Sequence, residues 1–285
     1  TFTSMNLDEK IISALKDLDY KEATEIQKKA IPIALKKRDI LAAAQSGTGK
    51  TAAFLLPILT ELIANKQPNK PVLRTLILVP TRELASQISK AAEDLGKYLD
   101  VQKLAVFGGV STKEQEKKIA KGLDILVATS GRLMEHLKNG TVDLSSVTTV
   151  VIDEVDTMLD MGFLEDIEKI LPSVGPKRQI MMFSATMNQN VKKLAKEFLT
   201  DPVVVEVAQQ RSAVKIIDQQ IVLVDEANKA AALSYIIGSR NYSQVLVFVN
   251  MKIEADTLVE HLELDGLTAG CIHGDVRQTA RAKVM

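Results

Sequence analysis

Short, near-continuous aliphatic runs recur at 39–43, 75–79, 101–107, 124–128, 148–152, 179–183 and 203–207. Segments of helical period separate them, at 52–64, 82–96, 112–121, 131–138 and 188–198. Strands that are apolar on both sides, each followed by a helix, cannot sit in a sheet with one wet face. They require a parallel sheet covered by helices on both sides, an α/β fold. In such sheets ligands bind beyond the carboxyl ends of the strands. The chemically distinctive stretches of this chain (44–51, 80–84, 129–132, 153–156 and 184–186) all follow directly on aliphatic runs.

The first of these stretches is Ala44-Gln45-Ser46-Gly47-Thr48-Gly49-Lys50-Thr51, set between a strand-like run and a helical one. Its glycines let backbone N–H groups crowd around phosphate oxygens, and the helix that follows adds a favourable dipole. In such a loop Lys50 reaches the β- and γ-phosphates and the Thr51 hydroxyl serves Mg²⁺. Ala44 stands where the usual pattern has Gly. The run 150–152 ends in Asp153, Glu154 and Asp156. One carboxylate in that position holds Mg²⁺, often through water, and its neighbour orients or deprotonates an attacking water.

Lys+Arg and Asp+Glu balance at 36 each over 285 residues, so a broadly basic coat is excluded but a local basic groove is not. The single cysteine, Cys271, excludes an internal disulfide framework and reads as a core residue. No apolar stretch reaches membrane-spanning length and the N-terminus lacks a signal-peptide layout, so the expectation is a soluble cytoplasmic protein without membrane contact. Residues 209–217 are polar and without apolar period, and read as a linker after a domain at 1–208. A second α/β pattern then begins within 218–285, with strands expected at 220–224, 245–249 and 268–272.

Taken in order, these stretches resemble the motifs of the DEAD-box RNA helicases of superfamily 2, most of all their bacterial RhlE-type branch. Residues 44–51 are similar to motif I, Pro80-Thr81-Arg82-Glu83-Leu84 to motif Ia and Thr129-Ser130-Gly131-Arg132 to motif Ib. Asp153-Glu154-Val155-Asp156 is similar to motif II and Ser184-Ala185-Thr186 to motif III. Tyr20 to Gln27, with Phe2 upstream, resembles the Q motif. Val247 to Asn250 and His273-Gly274-Asp275 resemble segments of the family's second domain.

The resemblance implies a RecA-like ATP-binding domain followed by a second, incomplete RecA-like domain, and an RNA-stimulated ATPase that unwinds short duplexes with ATP and Mg²⁺. It assigns adenine reading to Gln27 and base stacking to Tyr20 or Phe2. ATP phosphate is given to residues 44–51, metal to Thr51 and Asp153, and general base to Glu154. Asp156, Ser184 and Thr186 would couple the nucleotide to RNA. Thr81, Arg82, Gly108, Gly109, Thr129 and Arg132 would hold the RNA backbone without reading its sequence.

Val155 replaces the family's Ala. The carboxylates are kept, so catalysis is expected to survive, with strain or slower turnover from the larger side chain. Ser130 replaces a Pro, and Asp19 and Ala23 replace a Gly and a Pro. Motifs V and VI do not appear before Met285. The expectation from sequence is a fragment that binds ATP but hydrolyses it slowly, since the arginine finger of such systems contributes about 10³–10⁵ in rate.

Overall fold

A computed structural model describes residues 1–45, 47–65, 71–207 and 218–284. The linker expected at 209–217 therefore lies outside the described residues. The chain divides into two compact units, Thr1–Gln210 and Arg211–Met285.

In the first unit every expected strand forms. β1 (Ile40–Ala43), β2 (Thr75–Val79), β3 (Lys103–Val106), β4 (Ile125–Thr129), β5 (Thr149–Ile152), β6 (Gln179–Ser184) and β7 (Val203–Glu206) make one sheet, in the order β3-β4-β2-β5-β6-β1-β7. Every pairing is parallel. Side chains alternate across a strand, and the buried residues sort accordingly. Ile77, Val79, Val127, Val151 and Phe183 join one core, while Leu76, Leu78, Leu126, Val150 and Met182 join the other.

Helices α1 (Glu9–Asp17), α2 (Glu25–Leu35), α3 (Lys50–Ala64) and α4 (Arg82–Leu95) close the first core. Helices α6 (Ser130–Lys138), α7 (Val155–Asp160), α8 (Leu164–Ile170) and α9 (Gln189–Phe198) close the second, and α5 (Thr112–Ile119) follows β3. Phe54 of α3 packs on Phe183 of β6 with ring centroids 5.4 Å apart and planes tilted by 57°, a geometry worth about 0.5–1.5 kcal/mol beyond area burial.

This winding positions the sites. The helices after β1 and β2 pack on one face, and those after β4, β5 and β6 on the other. Chains leaving neighbouring strands toward opposite faces open a crevice at the carboxyl edge. The sheet has two such places, at β1 beside β6 and at β2 beside β4 and β5.

The second unit departs from expectation. It holds α10 (Lys229–Ser239), α11 (Lys252–Leu264) and α12 (Gln278–Val284), and no strand ladder among its described residues. The aliphatic runs at 220–224 and 245–249 are open to solvent, with Leu223 93% and Phe248 86% exposed. An apolar run supplies only the side chains of a strand; its N–H and C=O groups need a neighbour in register. Cys271, read as a core residue, is half-buried and its thiol donates to Asp256 Oδ1 at 3.2 Å. Among the described residues no helix is long and apolar enough to cross a membrane.

Candidate functional site

The loop between β1 and α3 turns on Gly47 (φ +80°) and Gly49 (φ +94°), in the left-handed region that disfavours side chains. Ala44 continues the sheet, its N–H donating to Ser184 O at 3.0 Å. Gly49 caps α3. A Cβ there would collide with Gln27 Nε2, so no other residue fits without displacing Gln27. Ser46 lies outside the described residues.

Lys50 opens α3 and is 6% exposed. Its Nζ lies 3.9 Å from Asp153 Oδ1 and has no hydrogen-bond partner among the described residues. A buried ammonium without an acceptor is unfavourable unless an anion completes it. Phosphate at the mouth of the glycine turn would be such an anion.

Asp153 directly follows β5 at 2% exposure, its Oδ1 accepting from the Glu154 N–H at 3.0 Å. Burial pushes its carboxyl up to about 6, against the pull of Lys50. The group is thus held where a divalent cation would repay its ionisation. Glu154 adopts φ +54°, ψ +51°, a left-handed conformation rare outside glycine that turns the chain sharply before α7. Val155, fully buried as the first residue of α7, fills the second core.

Asp156 lies one turn position further on and faces β6. Its Oδ2 accepts from Thr186 N–H at 2.8 Å and Thr186 Oγ1 at 2.9 Å, and its Oδ1 from Ala185 N–H at 3.4 Å. Burial alone would raise this carboxyl; the hydrogen bonds, from the Thr186 hydroxyl first, hold it below the usual range. Ser184 Oγ donates to Thr186 O at 2.7 Å. The Ser184 hydroxyl is thereby committed to the 184–186 turn and the Thr186 hydroxyl to Asp156, and Asn188 caps α9, its side chain accepting from Val191 N–H.

Gln27 is 1% exposed and part of the capping box of α2. Its Oε1 accepts from Thr24 N–H at 2.9 Å, and its Nε2 donates to Gly49 O at 3.0 Å. A carboxamide has two acceptor positions and two donors, so one of each is left for a base edge. The residue expected only to read adenine also ties α2 to the glycine turn. Of the two candidate stacking rings, Phe2 is buried and Tyr20 is 41% exposed, with centroids 6.3 Å apart, so Tyr20 presents the face and Phe2 backs it. Asp19 holds φ +57°, a conformation Asp tolerates in place of the family's Gly.

The second crevice gathers the other expected residues. Thr81 caps α4 by accepting from Leu84 N–H at 3.2 Å. Arg82 follows, its guanidinium lying against the turn after β3: a Cβ on Gly109 (φ +82°) would collide with Arg82 Nη1. Among the described residues that guanidinium has no acceptor. Thr129 precedes α6 without capping it, and Ser130 Oγ, on a residue 1% exposed, is buried without a partner among the described residues. Arg132, also expected to hold the RNA backbone, is engaged within the protein. Its Nη1 donates to Val110 O at 3.0 Å and Gln115 Oε1 at 2.9 Å, and its Nε faces Glu135 Oε2 at 2.9 Å.

The sequence reading missed Gln115 and His136. The available signal was a polar residue on the buried face of a helix, since Gln115 is the buried residue of α5. It also missed Thr24, which a capping-box pattern with Gln27 three residues on would have marked.

Comparison with known proteins sets this geometry in context. A family model described as DEAD/DEAH box helicase matches residues 24–194. The chain is 37% identical over 281 residues to the DEAD-box ATP-dependent RNA helicase CshA of Bacillus subtilis (strain 168), covering 99% of this chain and 56% of that protein. It is 37% identical over 286 residues to the DEAD-box ATP-dependent RNA helicase RhpA of Helicobacter pylori (strain B128), covering 100% of this chain and 57% of the relative. A crystal structure of a DEAD box protein from the hyperthermophile Methanococcus jannaschii superimposes with a TM-score of 0.69 at 33% identity, over 99% of this chain and 75% of that one. The chain thus spans little more than half the length of the curated relatives it matches.

Proposed function

The chain belongs to the DEAD/DEAH box helicase family, and from that premise we propose that the protein is an ATP-dependent RNA helicase whose nucleotide sits in the crevice between β1 and β6. The observation that carries this reading is the buried Lys50 Nζ at the glycine turn, which faces Asp153 and has no hydrogen-bond partner among the described residues. Tyr20 stacks on the base and Gln27 reads its edge with the donor and acceptor left over from Gly49 and Thr24. Residues 44–51 surround the phosphates.

The donor set fits Mg²⁺, which Thr51 and Asp153 would hold; when bound, the ion neutralises charge on the phosphates. Glu154 orients a water for in-line attack on the γ-phosphorus and receives its proton. The bond from that phosphorus to the bridging oxygen breaks, and ADP leaves with the electron pair. Asp156 passes any shift at the end of β5 to Ala185 and Thr186 through its hydrogen bonds.

RNA lies along the second crevice. The Arg82 guanidinium, the Gly108 and Gly109 amides, Thr81, Thr129 and the start of α6 offer donors to sugar and phosphate, a sequence-blind grip. Arg132 contributes from within its internal hydrogen bonds. In the intact protein, a second RecA-like domain closing on ATP and RNA would bend one strand and part a short duplex. Motif wording supports the RhlE-type branch, and the low cysteine content supports a cytoplasmic setting.

The test is ATP hydrolysis by the intact protein alone, with RNA, and with DNA of matching sequence, with Glu154→Gln as the blank. RNA alone should stimulate turnover. Equal stimulation by DNA, or none by RNA, would overturn the proposal.

A further inference from the structure

One buried carboxamide joins three segments of the second crevice. Gln115, on α5, is 5% exposed, and its Nε2 donates to Phe107 O at 3.1 Å, the carbonyl just before Gly108-Gly109. Its Oε1 accepts from Arg132 Nη1 at 2.9 Å and meets His136 Nε2 at 3.0 Å. The bond to Phe107 O fixes which end of the amide is nitrogen. Oε1 is then an acceptor only, so His136 Nε2 must carry the proton.

His136 is fully buried, and its Nδ1 lies 2.9 Å from Thr141 Oγ1. Burial first, then the Arg132 charge, holds the imidazole below its ordinary value. Arg132 in turn donates to Val110 O, on the far side of the two glycines. The glycine turn is therefore held at Phe107 by Gln115 and at Val110 by Arg132, and Gln115 binds Arg132 itself.

We propose that Gln115 is a positioning residue for RNA binding: it fixes the Gly108–Gly109 turn and Arg132 relative to each other, while His136 fixes the Gln115 amide. The inference rests on the reading of this crevice as the RNA site. Without the carboxamide, Phe107 O and Arg132 Nη1 lose a shared partner, and the turn and the start of α6 move independently. Phosphate donors on separate segments then no longer match the spacing of one backbone, and RNA affinity falls with no change at the β1–β6 crevice.

The experiment is fluorescence anisotropy of the intact protein with a labelled oligouridylate, in the presence of a non-hydrolysable ATP analogue. Nucleotide affinity is measured in parallel. Gln115→Leu should weaken RNA about tenfold, the effect of one lost charge-assisted hydrogen bond, and leave nucleotide affinity within about twofold. Arg132→Ala should weaken RNA as well, and Gln115→Leu added to it should do little more, because residues in one network do not add.

His136→Gln keeps a donor toward Gln115 and should bind RNA like the unsubstituted protein, whereas His136→Leu should resemble Gln115→Leu. That pair carries the test if Gln115→Leu does not fold. Unchanged RNA affinity in Gln115→Leu, full additivity with Arg132→Ala, or an equal loss of nucleotide affinity would each overturn the inference. If the unsubstituted protein binds no RNA, the proposed function fails, and this inference with it.

Discussion

The two crevices at the carboxyl edge of the sheet are built on opposite terms. At β1 and β6 buried groups are tied to the turns around them: Gln27 to Gly49, Ala44 to Ser184, Asp156 to Thr186. At β2 and β4 the corresponding groups are more open. Gly109 is exposed, Arg82 is half-buried, and the fixed points lie behind them in Gln115 and His136. On the proposed function, the difference follows from the chemistry each would hold. Water attack on a phosphate needs one geometry in a dry setting, where electrostatic interactions are strong. A grip on an RNA backbone needs donors at the surface and tolerates any sequence.

That contrast can be broken by experiment. The largest expected effect is Glu154→Gln, which should lower ATP turnover by about 10²–10⁴, the usual contribution of a general base. Nucleotide and RNA affinities should hold. A variant with turnover near the original would show that the left-handed Glu154 turn serves the backbone and not the water.

A smaller effect comes from pH. Asp153 has a carboxyl raised to about 6 from 3.8, so between those values the folded protein holds a proton that the unfolded chain releases. Its contribution to stability therefore grows as pH falls through 6 and is lost above it. The same proton competes with Mg²⁺. Affinity for Mg-ATP should fall by up to about tenfold per pH unit below 6. Asp156 runs the other way, depressed by its hydrogen bonds, which are lost only as pH drops below the usual carboxylate range. A flat Mg-ATP affinity from pH 7.5 down to about 5 would remove Asp153 from the metal site.

The smallest effect should be Gly109→Ala. The new Cβ enters a left-handed conformation that disfavours side chains by about 1–2 kcal/mol and meets Arg82. RNA affinity should drop about tenfold while nucleotide affinity stays put. Equal loss of both would mean that the two crevices are one unit.

Much of this was legible in the sequence, and the rest was hidden for definite reasons. β1 to β7 were readable because a strand buried on both faces must be aliphatic throughout, as Leu76-Ile77-Leu78-Val79 is. Lys50, Asp153 and Glu154 were readable because spacing from a strand end fixes their place. The double duty of Gln27, the engagement of Arg132 and the hydrogen bonds by which Asp156, grouped with Thr186 by the family resemblance, holds that residue were not. Each joins residues distant in sequence, and a hydrogen bond across 22 or 30 positions leaves no local pattern. The runs at 220–224 and 245–249 misled for a related reason: aliphatic residues declare a preference for a sheet, but only a neighbouring strand supplies one.

Gly49 and Gln27 also make a statement about heredity. A side chain at 49 strikes the Gln27 amide, and a residue without a donor at 27 strips the Gly49 carbonyl of one of its two hydrogen bonds, leaving that from Ala53 N–H. Drift at either position is felt at the other. Among descendants of this chain the two should change together or not at all, so that a mutational scan would find at 49 a tolerance written by the residue at 27.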